Sequence, residues 1–306
     1  MEKMRAQRTR EIARAVRQVE LRTRRLVEGP LARRYRTAFR GGGVEVADTR
    51  EYVRGDDPRR IDGNVTARTG VPHVRTVAET RGRELFLMID VSSSGSHGSA
   101  RSSKRQLAAE VASALAFSAI RNDDSVGLLL FTDRVERCVP PKRGRTHVLR
   151  ILREILAFEA TSHRFDLAAA LDHANRVLRR RAVTVLVSDF LLVGPIDGQA
   201  AALQRKLKAT ARRHDVVAIS VTDAREHQLP DLGVITLEDA ESGEQIEIDT
   251  SSERTREAHR RAADRYHTEI ARCIRASGVD HLALTTTAPL GPALAAFLGG
   301  QRQRAR

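Results

Sequence analysis

At 306 residues and 41% apolar content, the chain has enough material for one large domain, or a large domain with an appendage, and this argues against global disorder. No apolar run approaches the roughly 18 residues that span a bilayer, and the basic N-terminus lacks the apolar region of a secretory signal, so the expected setting is cytoplasmic. Net charge is +14, and residues 1–45 carry thirteen Arg or Lys against five Glu. With no Trp, three Tyr and no basic–aromatic interleaving, nucleic-acid binding through this basic arm is an alternative and not the leading reading.

In chain order, residues 10–28 show helical spacing. Ile12, Val16, Val19 and Leu26 form one apolar stripe that Thr23 interrupts, within a basic N-terminal helix placed at 1–35. The segment 36–82 is punctuated by Gly41–Gly43, Gly55–Pro58, Asp62–Asn64 and Gly70–Pro72, which predicts short β elements in preference to helices. Inside it, Arg54, Asp56, Asp57, Arg59, Arg60 and Asp62 make a dense run of both signs. That run reads either as a tight turn stitched by Arg–carboxylate pairs around Pro58 or as a docking surface for a partner.

From residue 83 short apolar runs alternate with helical patterns. Strands are predicted at Leu85–Ile89, Val126–Phe131, Val183–Val187, Val216–Val221 and Val279–Leu284, and Val135–Val139 should pair antiparallel with the strand before it. Helices are expected near 103–121, 146–157, 167–180, 198–213 and 253–277, and residues 234–248 read as a peripheral hairpin. The prediction is a doubly wound, mostly parallel α/β domain over 83–288, with a C-terminal helix and basic tail at 289–306. Cys138 and Cys273 lie far apart outside any CxxC pair and read as reduced thiols.

In open α/β sheets ligands sit at the carboxyl ends of the strands, and here Asp90, Asp133, Asp189 and Asp223 occupy such ends. Asp133 and Asp223 read as turn or cap residues. Asp90 differs, because Ser92 and Ser94 follow it at i+2 and i+4, a spacing that can turn three oxygen ligands toward one point. A carboxylate with two hydroxyls suits a small hard cation such as Mg²⁺, with Asp189 as the second carboxylate.

This Asp-x-Ser-x-Ser pattern resembles the metal-ion-dependent adhesion site of von Willebrand factor A domains. The resemblance implies serines that bind the metal (Mg²⁺, or Mn²⁺ or Ca²⁺) directly, aspartates that act largely through water, and a partner carboxylate in the last metal position. A second resemblance covers nearly the whole chain. Gly42-Gly43-Val44-Glu45, Arg50-Glu51-Tyr52, Gly55-Asp56-Asp57-Pro58-Arg59-Arg60-Ile61-Asp62, Thr66-Ala67-Arg68, Val126-Gly127-Leu128, Phe131-Thr132-Asp133 and Pro140-Pro141-Lys142-Arg143-Gly144 are similar to the bacterial "domain of unknown function 58" family. That family implies a von Willebrand factor A-like domain and an adaptor- or chaperone-like role with a MoxR-type AAA+ ATPase or its client. The chain departs from the pattern twice. Gly63 stands where Trp commonly follows the Ile-Asp pair, and Phe165 stands where a metal-binding Thr is usual, which leaves Thr161 or Ser162 as substitutes.

The leading expectation is therefore a non-enzymatic interaction module. An alternative is a metal-dependent phosphohydrolase with Asp90 as nucleophile, but Ser92 stands where a second Asp would serve as general acid. Neither a nucleophile elbow nor a GxxxxGK[ST] loop occurs, so ATP hydrolysis would belong to a partner. His281 falls inside a predicted strand and reads as a core histidine.

Overall fold

The computed structural model describes residues 2–39, 46–77, 82–92, 103–160, 162, 165–192, 196–238 and 245–300. Helix α1 (Glu2–Leu26) extends beyond the N-terminal end of the 10–28 stripe, but the chain bends at Gly29 before α2 (Ala32–Phe39), so the single helix placed at 1–35 is broken in two. Next come β1 (Val46–Glu51), a 3₁₀ turn at Pro58–Arg60, α3 (Gly63–Thr69) and β2 (His73–Val77), which pairs antiparallel with β1. The expectation of β elements alone is corrected here. Asp62 accepts hydrogen bonds from the Asn64 and Val65 amides and so caps a short helix, which Gly70 ends in the left-handed region (φ 74°).

The main sheet follows in chain order: β3 (Glu84–Asp90), α4 (Lys104–Ile120), β4 (Ser125–Phe131), β5 (Val135–Lys142), α5 (Arg145–Ala157), α6 (Leu167–Val177), β6 (Val183–Ser188), α7 (Ile196–Ala211) and β7 (Asp215–Thr222). A one-turn α8 (Ala224–His227), the hairpin β8 (Val234–Glu238) and β9 (Gln245–Asp249), α9 (Glu253–Ala276), β10 (Asp280–Thr285) and α10 (Leu290–Gly300) complete the chain. The six-stranded sheet runs β10-β7-β6-β3-β4-β5, parallel throughout except for the edge strand β5. This is the doubly wound, mostly parallel α/β architecture that the alternation of apolar runs and helices predicted, and it fits the von Willebrand factor A-like fold that the resemblance implied.

Alternation along β3 divides the core. Leu85, Leu87 and Ile89 join the cluster that includes α4 and α5, while Phe86 and Met88 face the cluster of α6, α7 and α9. Burial on both faces is why these strands read as continuous apolar runs. Gly127 in β4 is dictated by the same packing, since a Cβ there would lie 2.7 Å from the Phe86 ring.

Helix α4 is buried on every side, Ser113 and Ser118 included, because α1 covers its outer face. The hydroxyl of Thr23 explains how. Thr23, which interrupts the apolar stripe in sequence, is buried, donates to the Val19 carbonyl (2.8 Å) and shares a 2.7 Å hydrogen bond with Ser113. A satisfied polar pair thus replaces an apolar contact in the α1–α4 interface.

His281 in β10 shares a 2.8 Å hydrogen bond between its Nε2 and the Ser220 hydroxyl, while its Nδ1 is buried with no hydrogen-bond partner among the described residues. Burial and then the Arg275 charge hold its pKa down to about 4. The native state therefore keeps His281 neutral where the unfolded chain binds a proton, so stability is present above about pH 6.5 and is lost as pH falls toward 4. Urea unfolding at about pH 7 and about pH 4.5 should show His281→Leu losing less stability than wild type over this interval. Equal losses would exclude His281 as the cause.

Candidate functional site

The order of strands reverses between β3 and β6, and the carboxyl ends of these two strands meet at that switch point. Asp90 ends β3 and Ser188 ends β6, where its hydroxyl donates to Asp90 Oδ2 at 2.6 Å. The Ser92 amide donates to Asp90 Oδ1 at 2.9 Å, so the first residues beyond the strand curl back over the carboxylate. Burial, and next the facing Asp189 carboxylate, push Asp90 up to about 7 against the downward pull of Ser188 and Ser92. A buried carboxylate whose ionisation a second carboxylate opposes, set among hydroxyl groups, is a donor set that fits a small hard cation.

Asp189 is turned into the site by an unusual bend. Phe190 is fully buried yet has φ 55°, a conformation that costs a non-glycine residue about 1–3 kcal/mol. The bend is held from both sides. The Phe190 amide donates to Ser188 Oγ (2.9 Å), Tyr266 of α9 donates from its hydroxyl to the Phe190 carbonyl (2.9 Å), and that hydroxyl accepts from the Leu192 amide (2.7 Å). Tyr266→Phe removes two of these bonds and should cost about 1–3 kcal/mol in urea unfolding. A change below about 0.5 kcal/mol, the ordinary level for a neutral surface substitution, would contradict this role.

The counter-charge inside the site comes from Lys104, the first residue of α4. Its ammonium donates to Asp189 Oδ2 at 2.7 Å and to Glu226 Oε1 at 2.5 Å. Lys104 and Asp189 are each only 4% exposed, while Glu226 is 27% exposed. Burial pushes Lys104 down, but the charges of Asp189 and Glu226 outweigh it and leave the ammonium above its ordinary pKa. The next residue, Arg105, clamps the entry to the loop, donating to the carbonyls of Val91 (3.2 Å) and Phe158 (2.7 Å).

Asp90, Ser92 and Asp189 are thus brought together, while Ser94 and Thr161 lie outside the described residues. Ser162 is buried and its side chain hydrogen-bonds Asp133. Phe165 packs its ring on Phe131, with centroids 6.1 Å apart, so that position supplies core and no oxygen ligand. Asp223 is a cap, as its sequence context predicted: it forms a capping box with Glu226 at the start of α8 and accepts from Thr286 at 2.7 Å.

In the 54–62 run, Asp56 pairs with Arg50 (2.6 Å), Asp57 caps the 3₁₀ turn and Asp62 caps α3, while Arg54, Arg59 and Arg60 are exposed. Asp56 makes an Arg–carboxylate pair of the kind the stitched-turn reading expected, whereas Asp57 and Asp62 accept from backbone amides.

Lys104, Glu226, Ser188 and Tyr266 were missed by the reading of the sequence. Two of them carried a signal. A lysine in the first turn of a buried helix opposes the helix dipole and calls for a carboxylate partner, and Asp223-x-x-Glu226 is a capping-box spacing. Ser188 and Tyr266 carried none, because their roles arise only when β6 and α9 are packed.

The chain is similar along most of its length to proteins from mycobacteria. It is 37% identical over 298 residues to "Uncharacterized protein Rv1480" of Mycobacterium tuberculosis, covering 96% of this chain and 91% of that one, and equally to "Uncharacterized protein Mb1516" of Mycobacterium bovis. Among solved structures, BatB from Bacteroides thetaiotaomicron aligns with 72% of this chain and all of that one (TM-score 0.48, 15% identity). The SpRpn10 VWA domain aligns with 71% of this chain and 94% of that one (TM-score 0.39, 10% identity). The model of "Protein of unknown function DUF58" matches residues 48–269, most of the chain, and together with the mycobacterial relatives it shows that this protein belongs to the DUF58 family.

Proposed function

We propose that this protein is a non-enzymatic interaction module that docks a partner at the carboxyl end of its sheet, where Asp90 and Asp189 meet. The family and the von Willebrand factor A-like fold support an interaction module in general terms. The observation that carries the specific reading is the pair of facing carboxylates at the switch point, set among hydroxyl groups and braced by a strained, pinned bend. Asp90, Ser92 and Ser94 would hold a divalent cation, Mg²⁺ by the hardness of the donors, with Asp189 as the outer carboxylate. When bound, such an ion supplies electrostatic capture of an acidic side chain from the partner. What the chain itself does is hold Asp90 in place through Ser188 and the Ser92 amide, and orient the loop through Arg105.

The partner proposed is a MoxR-type AAA+ ATPase or its client, on the strength of the family resemblance, with an adaptor role for this chain in a cytoplasmic setting. Among the described residues no helix is long and apolar enough to cross a membrane, and both cysteines are free thiols. The exposed Arg54, Arg59 and Arg60 would give an acidic partner surface its second contact. Calorimetric titration of Mg²⁺ into wild type and Asp90→Ala tests the metal reading. Saturable binding by wild type that Asp90→Ala abolishes supports it, and identical heats from both proteins would overturn it.

A further inference from the structure

We infer that Lys104 is an internal competitor for the divalent-cation site, holding Asp189 so that an ion recruits this carboxylate only by displacing the ammonium. The inference rests on the metal-site reading above and deepens it. Three observations carry it. Lys104 Nζ lies 2.7 Å from Asp189 Oδ2, both side chains are 4% exposed, and the lysine occupies the first position of α4, at the end of the helix that Ser103 caps. A positive charge at a helix N-terminus is disfavoured by the helix dipole, and a buried ammonium carries a desolvation cost. The position is therefore sustained by its two carboxylates and not by the helix.

Glu226 gives the exchange a physical route. It lies on α8, its second oxygen accepts from the Asp223 amide (3.1 Å), and at 27% exposed it reaches the edge of the site. An ammonium that releases Asp189 keeps Glu226 as partner and does not become an isolated buried charge. The site thus has two charge-balanced arrangements, one with Asp189 on Lys104 and one with Asp189 available to an ion.

The test uses Mn²⁺ as probe, titrated into the full chain and followed by electron paramagnetic resonance, for wild type, Lys104→Met and the double variant Asp90→Asn/Lys104→Met. Removing a competing charge-assisted hydrogen bond should tighten Mn²⁺ binding by about tenfold or more in Lys104→Met, and the double variant should lose it. Equal affinity in wild type and Lys104→Met overturns the competition while leaving the metal reading intact. No binding by either protein overturns the metal reading and the inference with it. The wild-type chain provides a readout that needs no variant to fold. Its buried Lys104 ammonium, observed by ¹⁵N NMR, should lose its protection from water exchange in step with added Mg²⁺. Mn²⁺ binding in the resonance titration without any change at Lys104 under Mg²⁺ would also overturn the competition.

Discussion

Asp189→Ala should lower the unfolding free energy by about 3 kcal/mol or more, the cost of removing one partner from a buried ion pair. The reason is what stays behind. Lys104 is 4% exposed and, among the described residues, would retain one carboxylate in place of two, that of the partly solvated Glu226. Replacing both charges, as in Lys104→Met/Asp189→Leu, should recover much of the loss, because apolar groups of similar size need no counter-ion. A double-mutant cycle in urea then measures the coupling between the two residues. A single substitution that costs less than about 1 kcal/mol, the level of an exposed ion pair, would mean that water reaches Lys104 and that the pair is not buried in solution.

Asp90→Asn should do the reverse, removing cation and partner binding while leaving the fold at least as stable as wild type. Burial and the facing Asp189 carboxylate already oppose ionisation of Asp90. An amide keeps the shape without a buried charge: its oxygen can accept from the Ser92 amide, and its NH₂, in the place of Oδ2, can donate to the Ser188 hydroxyl. Such a separation of stability from binding marks a side chain kept for its charge and not for packing. The expected loss of divalent-cation affinity is about tenfold or more, the scale of one charge-assisted interaction. If Asp90→Asn unfolds at a clearly lower urea concentration and still binds the cation, Asp90 has a structural role only.

The contrast between these two aspartates shows what was legible in the sequence. The strands were readable because burial on both faces leaves little but apolar residues between Leu85 and Ile89 or between Val183 and Val187. Asp90, Ser92 and Asp189 were readable because the end of a strand is where an open α/β sheet places its ligands. The short helix α3 was not, since glycine and asparagine at its start look like turn residues until Asp62 is seen to accept from the two following amides. Thr23 looked like a flaw in a stripe because its partner, Ser113, is ninety residues away. Lys104 was passed over for the same reason. Only the packing of α4 against the ends of β6 and α8 turns a common surface residue into a buried counter-ion.

Binding of purified MoxR-type AAA+ ATPase from the same organism to this chain, measured by calorimetry with Mg²⁺ and with a chelator, decides whether Asp90 and Asp189 hold the partner through an ion. Wild type should bind in Mg²⁺ and lose binding in the chelator, and Asp90→Asn should fail to bind in either buffer. Equal binding by both proteins, with or without the chelator, would contradict the claim that the carboxyl end of the sheet captures its partner through a divalent cation.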